Sequence, residues 1–216
     1  MNIKKEVQKA LVNGDFDHVE MCFQENAVST SRYLQMHVYG MAHDITRWKA
    51  IEYIGLLAGK YSEEYPELFR NVIRRFLWQM CEESANVPWA SAEVIGSIIG
   101  NVEGKRYEEF IGPWFYHVGL NDICYAGFFW TLPLMMKYHA DKVEEFLPDT
   151  CIWFEEFGMA DFRGYAAIYF DKYVNPDFKH FLEEWINDDR TTILYIDGEV
   201  KEEKVNNLVK KALENY

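Results

Sequence analysis

Leu68, Phe69, Val72, Ile73, Phe76, Leu77 and Met80 recur at steps of three and four. That spacing commits the segment to a helix buried along one stripe. A second stripe, Asn71, Arg75, Trp78 and Glu82, runs behind it, with Arg74 and Glu83 alongside. After a short elbow, Val94, Ile95, Ile98, Ile99 and Val102 make another apolar face. On that second helix Ala92, Gly96 and Gly100 fall four apart, a row of minimal side chains that admits a neighbouring helix at close range. The pair predicts an all-α fold in which helices stack closely.

The rest of the chain follows suit. Helices are predicted over about 2–13, 15–26 and 30–39, then over 45–61, where Asp44 stands as the cap. Further ones cover about 66–82, 90–102, 104–118, 121–139, 141–156, 160–172 and 176–187. Pro66 and Pro176 sit where a helix opens, a position that loses no hydrogen bond. Pro113, Pro133 and Pro148 fall inside predicted helices and are expected to kink or split them. The ending differs. Thr191 to Ile196 is rich in β-formers, Asp197–Gly198 is a tight-turn signal, and Glu199–Val200 returns briefly before a last helix over about 201–214.

Helix pairs starting near Asp44, Pro88, Asn121 and Ala160 lie roughly 33 to 44 residues apart, the spacing of two-helix repeats. Asp44-x-x-Arg47-x-x-Ala50, with Gly55, resembles the first helix of a HEAT repeat, and Asp161-x-Arg163-Gly164 with Ala166 and Ala167 resembles another. The resemblance implies Asp and Arg bonding between neighbouring repeats. It also implies a short α-α superhelix in one domain over 1–216: amino-terminal helices over 1–42, helical-pair repeats over 43–188 and a carboxy-terminal cap over 189–216. A solenoid needs such a cap to cover its last apolar face.

From about Asp44 onward the chain also resembles a prokaryotic family of HEAT-like repeat proteins that has no established reaction. The residues carrying this likeness are Arg74-Arg75-x-x-Trp78, Glu82-Glu83-Ser84, Trp89-x-x-x-Glu93 with Gly96, Gly127-x-x-Trp130, and Leu194-Tyr195-Ile196-Asp197-Gly198. The family tends to carry an acidic residue where this chain has Ser97.

Arg75, Trp78 and Glu82 project from one side of their helix. If the next helix folds back, Glu83, Trp89 and Glu93 arrive beside them. The candidate binding residues are therefore Arg74, Arg75, Trp78, Glu82, Glu83, Trp89 and Glu93, which together offer a cationic fork, indole faces and carboxylates. The competing reading makes the same residues a pin: Arg74 or Arg75 pairs with Glu82 or Glu93, and the tryptophans pack. The run Phe128-Phe129-Trp130 reads first as core, with a cofactor pocket as its alternative.

A formal charge of −13 argues against a phosphate-binding surface, since affinity for nucleic acid rests on Lys and Arg displacing counterions. The histidines form no metal-ligand pattern, and Cys22, Cys81, Cys124 and Cys151 include no CxxC pair, so they read as small buried hydrophobes. No metal, cofactor or catalytic residue is assigned. The amino-terminal MNIKKEVQKAL lacks a signal peptide's apolar run, and no stretch is long and apolar enough to span a bilayer. The expectation is a cytoplasmic, non-enzymatic interaction module presenting an acidic, aromatic-lined surface to a protein or peptide, with no nucleic acid and no membrane. A small-ligand binder or lyase-type enzyme using the Arg75, Trp78, Glu82 and Glu93 pocket is the alternative. A HEAT-like DNA-repair glycosylase is disfavoured by charge.

Overall fold

A computed structural model describes residues 2–81, 90–156 and 158–216. The helices are α1 (Ile3–Asn13), α2 (Phe16–Glu25), α3 (Ala27–His37), α4 (Ile45–Tyr61), α5 (Pro66–Met80), α6 (Ser91–Asn101) and α7 (Ile111–Gly119). They continue with α8 (Tyr125–Met135), α9 (Ala140–Phe146), α10 (Cys151–Glu156), α11 (Ala160–Lys172), α12 (Lys179–Glu184) and α13 (Val205–Leu213). Strands β1 (Thr191–Ile196) and β2 (Glu199–Lys204) form one antiparallel hairpin. The described residues are thus mostly helical, with that one hairpin as their sheet.

Local chemistry sets the boundaries. Asn2, Asp15, Asn26 and Asp44 each precede a helix and accept a first-turn amide, at 3.3, 3.0, 2.9 and 2.8 Å. The predicted helix over 104–118 starts only at Ile111, because Gly104 takes φ +76° and a 3-10 turn over Glu108–Phe110 intervenes. Pro113 consequently falls in the first turn of α7, where it causes no kink. Pro148 does split its segment, lying in the 3-10 turn Leu147–Thr150 between α9 and α10. At the ending, β2 is longer than expected. Thr191 pairs with Lys204 and Ile196 with Glu199, so the last helix waits until Val205. Asp197 and Gly198 both have positive φ, 52° and 83°, the geometry that a two-residue hairpin turn requires.

Packing runs through alternate helices. α4 packs on α6, α6 on α8, α8 on α11, and α11 on both β1 and α13. Small residues make these approaches possible. A β-carbon on Gly55 of α4 would lie 2.7 Å from the Ser97 carbonyl oxygen, and one on Gly59 would lie 2.8 Å from that of Asn101. On α6, Gly100 stands against the backbone of Leu134 in α8. Ser97 fills its slot with a short side chain that donates to the Ile51 carbonyl at 3.3 Å. The expected Asp–Arg bonding takes a different form. Asp44 is spent as a cap and Asp161 accepts from the adjacent Phe162 amide, while Arg47 reaches Glu93 at 2.7 Å and Arg163 reaches Asp188 at 2.8 Å.

Asp188 ties α11 to the approach of β1. Hydrogen bonds from Arg190, and then Arg163, hold its carboxyl at about 2, below its ordinary 3.8. A depressed carboxylate stabilises the fold above its unfolded value and loses that contribution as pH falls through its folded value. Asp188→Asn is expected to cost about 1–2 kcal/mol near neutral pH, with the difference from the parent closing between roughly pH 4 and 2. Urea unfolding of both proteins across that interval reads the closure.

Candidate binding site

Among the described residues, Arg74, Arg75 and Trp78 stand apart from Glu93. On α5, Phe69, Val72, Ile73, Phe76 and Met80 are buried, so the opposite stripe faces outward. Trp78 is 64% exposed. Arg75 donates to Gln35 Oε1 of α3 at 3.0 Å, and Arg74 stands 3.8 Å from Glu67 of its own helix. Glu93 is elsewhere: it is buried in the first turn of α6 and bound to Arg47 of α4. Glu82, Glu83 and Trp89 lie outside the described residues. Trp78→Ala should therefore change stability by no more than about 0.5 kcal/mol, since an exposed ring has little packing to lose. Urea unfolding checks this, and a larger loss would mean that the ring packs on something.

Why Glu93 turns inward is clear from α6 itself. Every residue from Ser91 to Gly100 is buried, leaving no polar face for a carboxylate to occupy. A buried charge needs a partner, and Arg47 supplies it. The Arg47 guanidinium lies 4.4 Å over the Trp48 ring, which keeps it flat against an aromatic surface. Burial pushes the Glu93 carboxyl above its ordinary value, against the pull of Arg47, and Asp161 nearby adds to the rise. No donor among the described residues reaches Glu93 Oε2, which abuts Gly127 of α8. That contact explains the glycine of the Gly127-x-x-Trp130 segment: any side chain there would meet the carboxylate.

Two hollows open here, and this pair borders the first of them. The first, of about 350 Å³, is bounded by Arg47, Trp48, Glu93, Asp122, Asp161 and Tyr165, among others. Residues from the first turns of α4, α6 and α11, and from the turn before α8, therefore meet there. Three carboxylates and one guanidinium border it, so the hollow is acidic. The second, of about 280 Å³, is bounded by Glu52, Trp130, Tyr165, Ile168, Tyr195 and Asp197, with Pro133 and Leu134 behind. Tyr165 borders both. Between them stands an aromatic wall: Trp48 stacks on Tyr195 at 5.2 Å and 4°, and Trp130 lies 5.3 Å from Trp48. The Tyr165 hydroxyl accepts the Tyr195 amide at 2.7 Å, locking β1 to α11 at this point.

No family model, curated protein or solved structure matches this chain. The geometry alone carries the functional reading.

Sequence reasoning found Glu93 and missed Arg47, Trp48, Tyr165 and Tyr195 as its surroundings. A signal for the pairing was present: Glu93 is the one ionisable residue in SAEVIGSIIG, a segment apolar on all sides. The aromatic run divides. Phe128 and Phe129 are core, whereas Trp130 is half-buried and borders the second hollow. Two cysteines, Cys22 and Cys124, are buried as expected, but Cys81 is exposed, its Sγ 3.3 Å from His117 Nε2. Among the described residues no group of side chains is arranged to hold a metal ion, and no helix is long and apolar enough to cross a membrane.

Proposed function

We propose that this chain is a non-enzymatic binding module, a short HEAT-like α-α superhelix whose inner face docks a basic segment of another protein. The succession α4, α6, α8, α11 supports the superhelical reading, each helix packing on the next while α5 and α7 pack on each other and on α6. One observation supports the docking reading above the rest: five carboxylates, Glu52, Glu93, Asp122, Asp161 and Asp197, border two adjoining hollows whose common wall is aromatic. In this reading the acidic, aromatic-lined surface is this face rather than the outward stripe of α5, where Arg75 and Trp78 stand. Charge of −13 over the whole chain steers a cationic partner toward it.

The test uses an oligolysine peptide and fluorescence anisotropy. Binding is expected at low salt, weakening as salt rises, and to fall at least about tenfold in Asp122→Asn with Asp161→Asn. Binding unaffected by these replacements but lost in Trp78→Ala would return the site to α5 and overturn the proposal. A second reading, a small-ligand binder, draws on the first hollow joining the Glu93 carboxylate to Trp48.

A further inference from the structure

The second hollow has features the docking of a basic segment does not by itself require. Its walls are the rings of Trp130, Tyr165 and Tyr195 and the aliphatic atoms of Pro133, Leu134 and Ile168. Its volume of about 280 Å³ lies just below the roughly 300–1,000 Å³ of pockets for drug-sized molecules, a size that suits a single side chain or a small amine. Two carboxylates stand at its border. Glu52 Oε2 is engaged, accepting the Tyr195 hydroxyl at 2.7 Å and Lys49 Nζ at 3.3 Å. Glu52 Oε1 makes no hydrogen bond among the described residues. Asp197 is exposed at the hairpin turn.

This arrangement discriminates between cations. A guanidinium binds a carboxylate best as a fork, using both oxygens in one plane. Glu52, at the hollow's aromatic wall, has one oxygen without a protein donor among the described residues, so it offers a single acceptor rather than a fork. An ammonium is a point charge that needs a single acceptor, and its alkyl stem is content against aromatic and aliphatic walls. At its edge the Lys49 ammonium lies 5.7 Å from the Tyr195 ring centre while bonded to Glu52.

We propose that the hollow bounded by Trp130, Tyr165 and Tyr195, with Glu52 and Asp197 at its border, binds an alkylammonium ion of the lysine side-chain class. The proposal rests on the docking reading only in supplying that reading's specificity pocket. The hollow's own chemistry stands apart from any protein partner. Lys49 acts as a resident competitor, so its removal strengthens binding.

Isothermal calorimetry of the full chain with n-butylammonium, and separately with guanidinium, tests it directly. Saturable binding of n-butylammonium is expected, with guanidinium weaker. Glu52→Gln combined with Asp197→Asn should weaken it at least tenfold, and Lys49→Met should tighten it roughly threefold by removing a like charge. Thermal melts confirm that each variant is folded. Absence of saturable n-butylammonium binding by the parent overturns the proposal. Equal binding by parent and both variants overturns it too, and because Lys49→Met leaves the carboxylates in place, the test survives misfolding of the other variant. Alkylammonium binding together with failure of the oligolysine peptide would sustain this proposal while overturning the docking reading.

Discussion

Glu93→Ala is expected to lower the melting temperature by roughly 10 °C. It removes one member of a buried ion pair and leaves the Arg47 guanidinium without its carboxylate, 2.7 Å away, in a region where both side chains are 5% exposed. Breaking such a pair costs about 3–5 kcal/mol, and in a chain of this size each kcal/mol moves the midpoint by about 2–4 °C. The loss comes from breaking a buried pair, so removing both of its charges should recover most of it. Arg47→Met with Glu93→Leu is expected to melt within a few degrees of the parent. Calorimetry on the parent, the single variant and the double variant measures the coupling. The pH dependence has the opposite sign to that of Asp188. Burial raises the folded-state value of Glu93, so its contribution weakens as pH climbs from its unfolded value near 4.5 through the raised one. Glu93→Gln, which keeps an acceptor for Arg47 and cannot ionise, should gain on the parent across that window.

Gly100→Ala is the second large effect. Its β-carbon would lie 2.8 Å from Leu134 Cβ, 2.9 Å from the Leu134 carbonyl carbon and 3.1 Å from the Met135 amide nitrogen. Two of those atoms are backbone, so no rotamer change relieves the contact, and α6 and α8 must separate. A loss of about 2–3 kcal/mol is expected, despite alanine's better helix propensity. Gly112→Ala is the control. It also sits in a helix, but the nearest atom to its added β-carbon is Phe146 Cζ at 4.0 Å. There the propensity gain is unopposed, and stability should rise by about 0.5–1 kcal/mol. Urea unfolding of the two variants separates close approach from glycine's intrinsic cost.

These two positions also show where the sequence was legible. The row Ala92, Gly96, Gly100 spoke of a closely packed neighbour, and α8 is that neighbour. Of the stripe over α5, Phe69, Val72, Ile73, Phe76 and Met80 are buried, while Leu68 and Leu77 are half-buried at its edge. Helical periodicity is local, so it survives in one chain read alone. The candidate site was less legible for the opposite reason. Arg47 and Glu93 stand forty-six positions apart, and Glu52 and Tyr195 stand one hundred and forty-three apart. Only the path of the helices brings them together. Arg75, Trp78 and Glu93 were placed together on the assumption that a neighbouring helix folds its polar side back, whereas α6 has no polar side to offer. Asp197–Gly198 signals the hairpin but not its length, because EVKEEK is charged at all positions but Val200 and carries no alternation of hydrophobicity.

Two tryptophans put the competing faces on opposite sides of one experiment. Trp130 borders the second hollow, and Trp78 marks the outward stripe of α5. Their indole N–H signals in a nitrogen-15 correlation spectrum, assigned by replacing each with phenylalanine, can be followed as an oligolysine peptide is added. If the inner face is the docking surface, the Trp130 signal moves along a saturable curve and the Trp78 signal stays in place. A saturable shift of Trp78 with Trp130 unmoved would contradict the account.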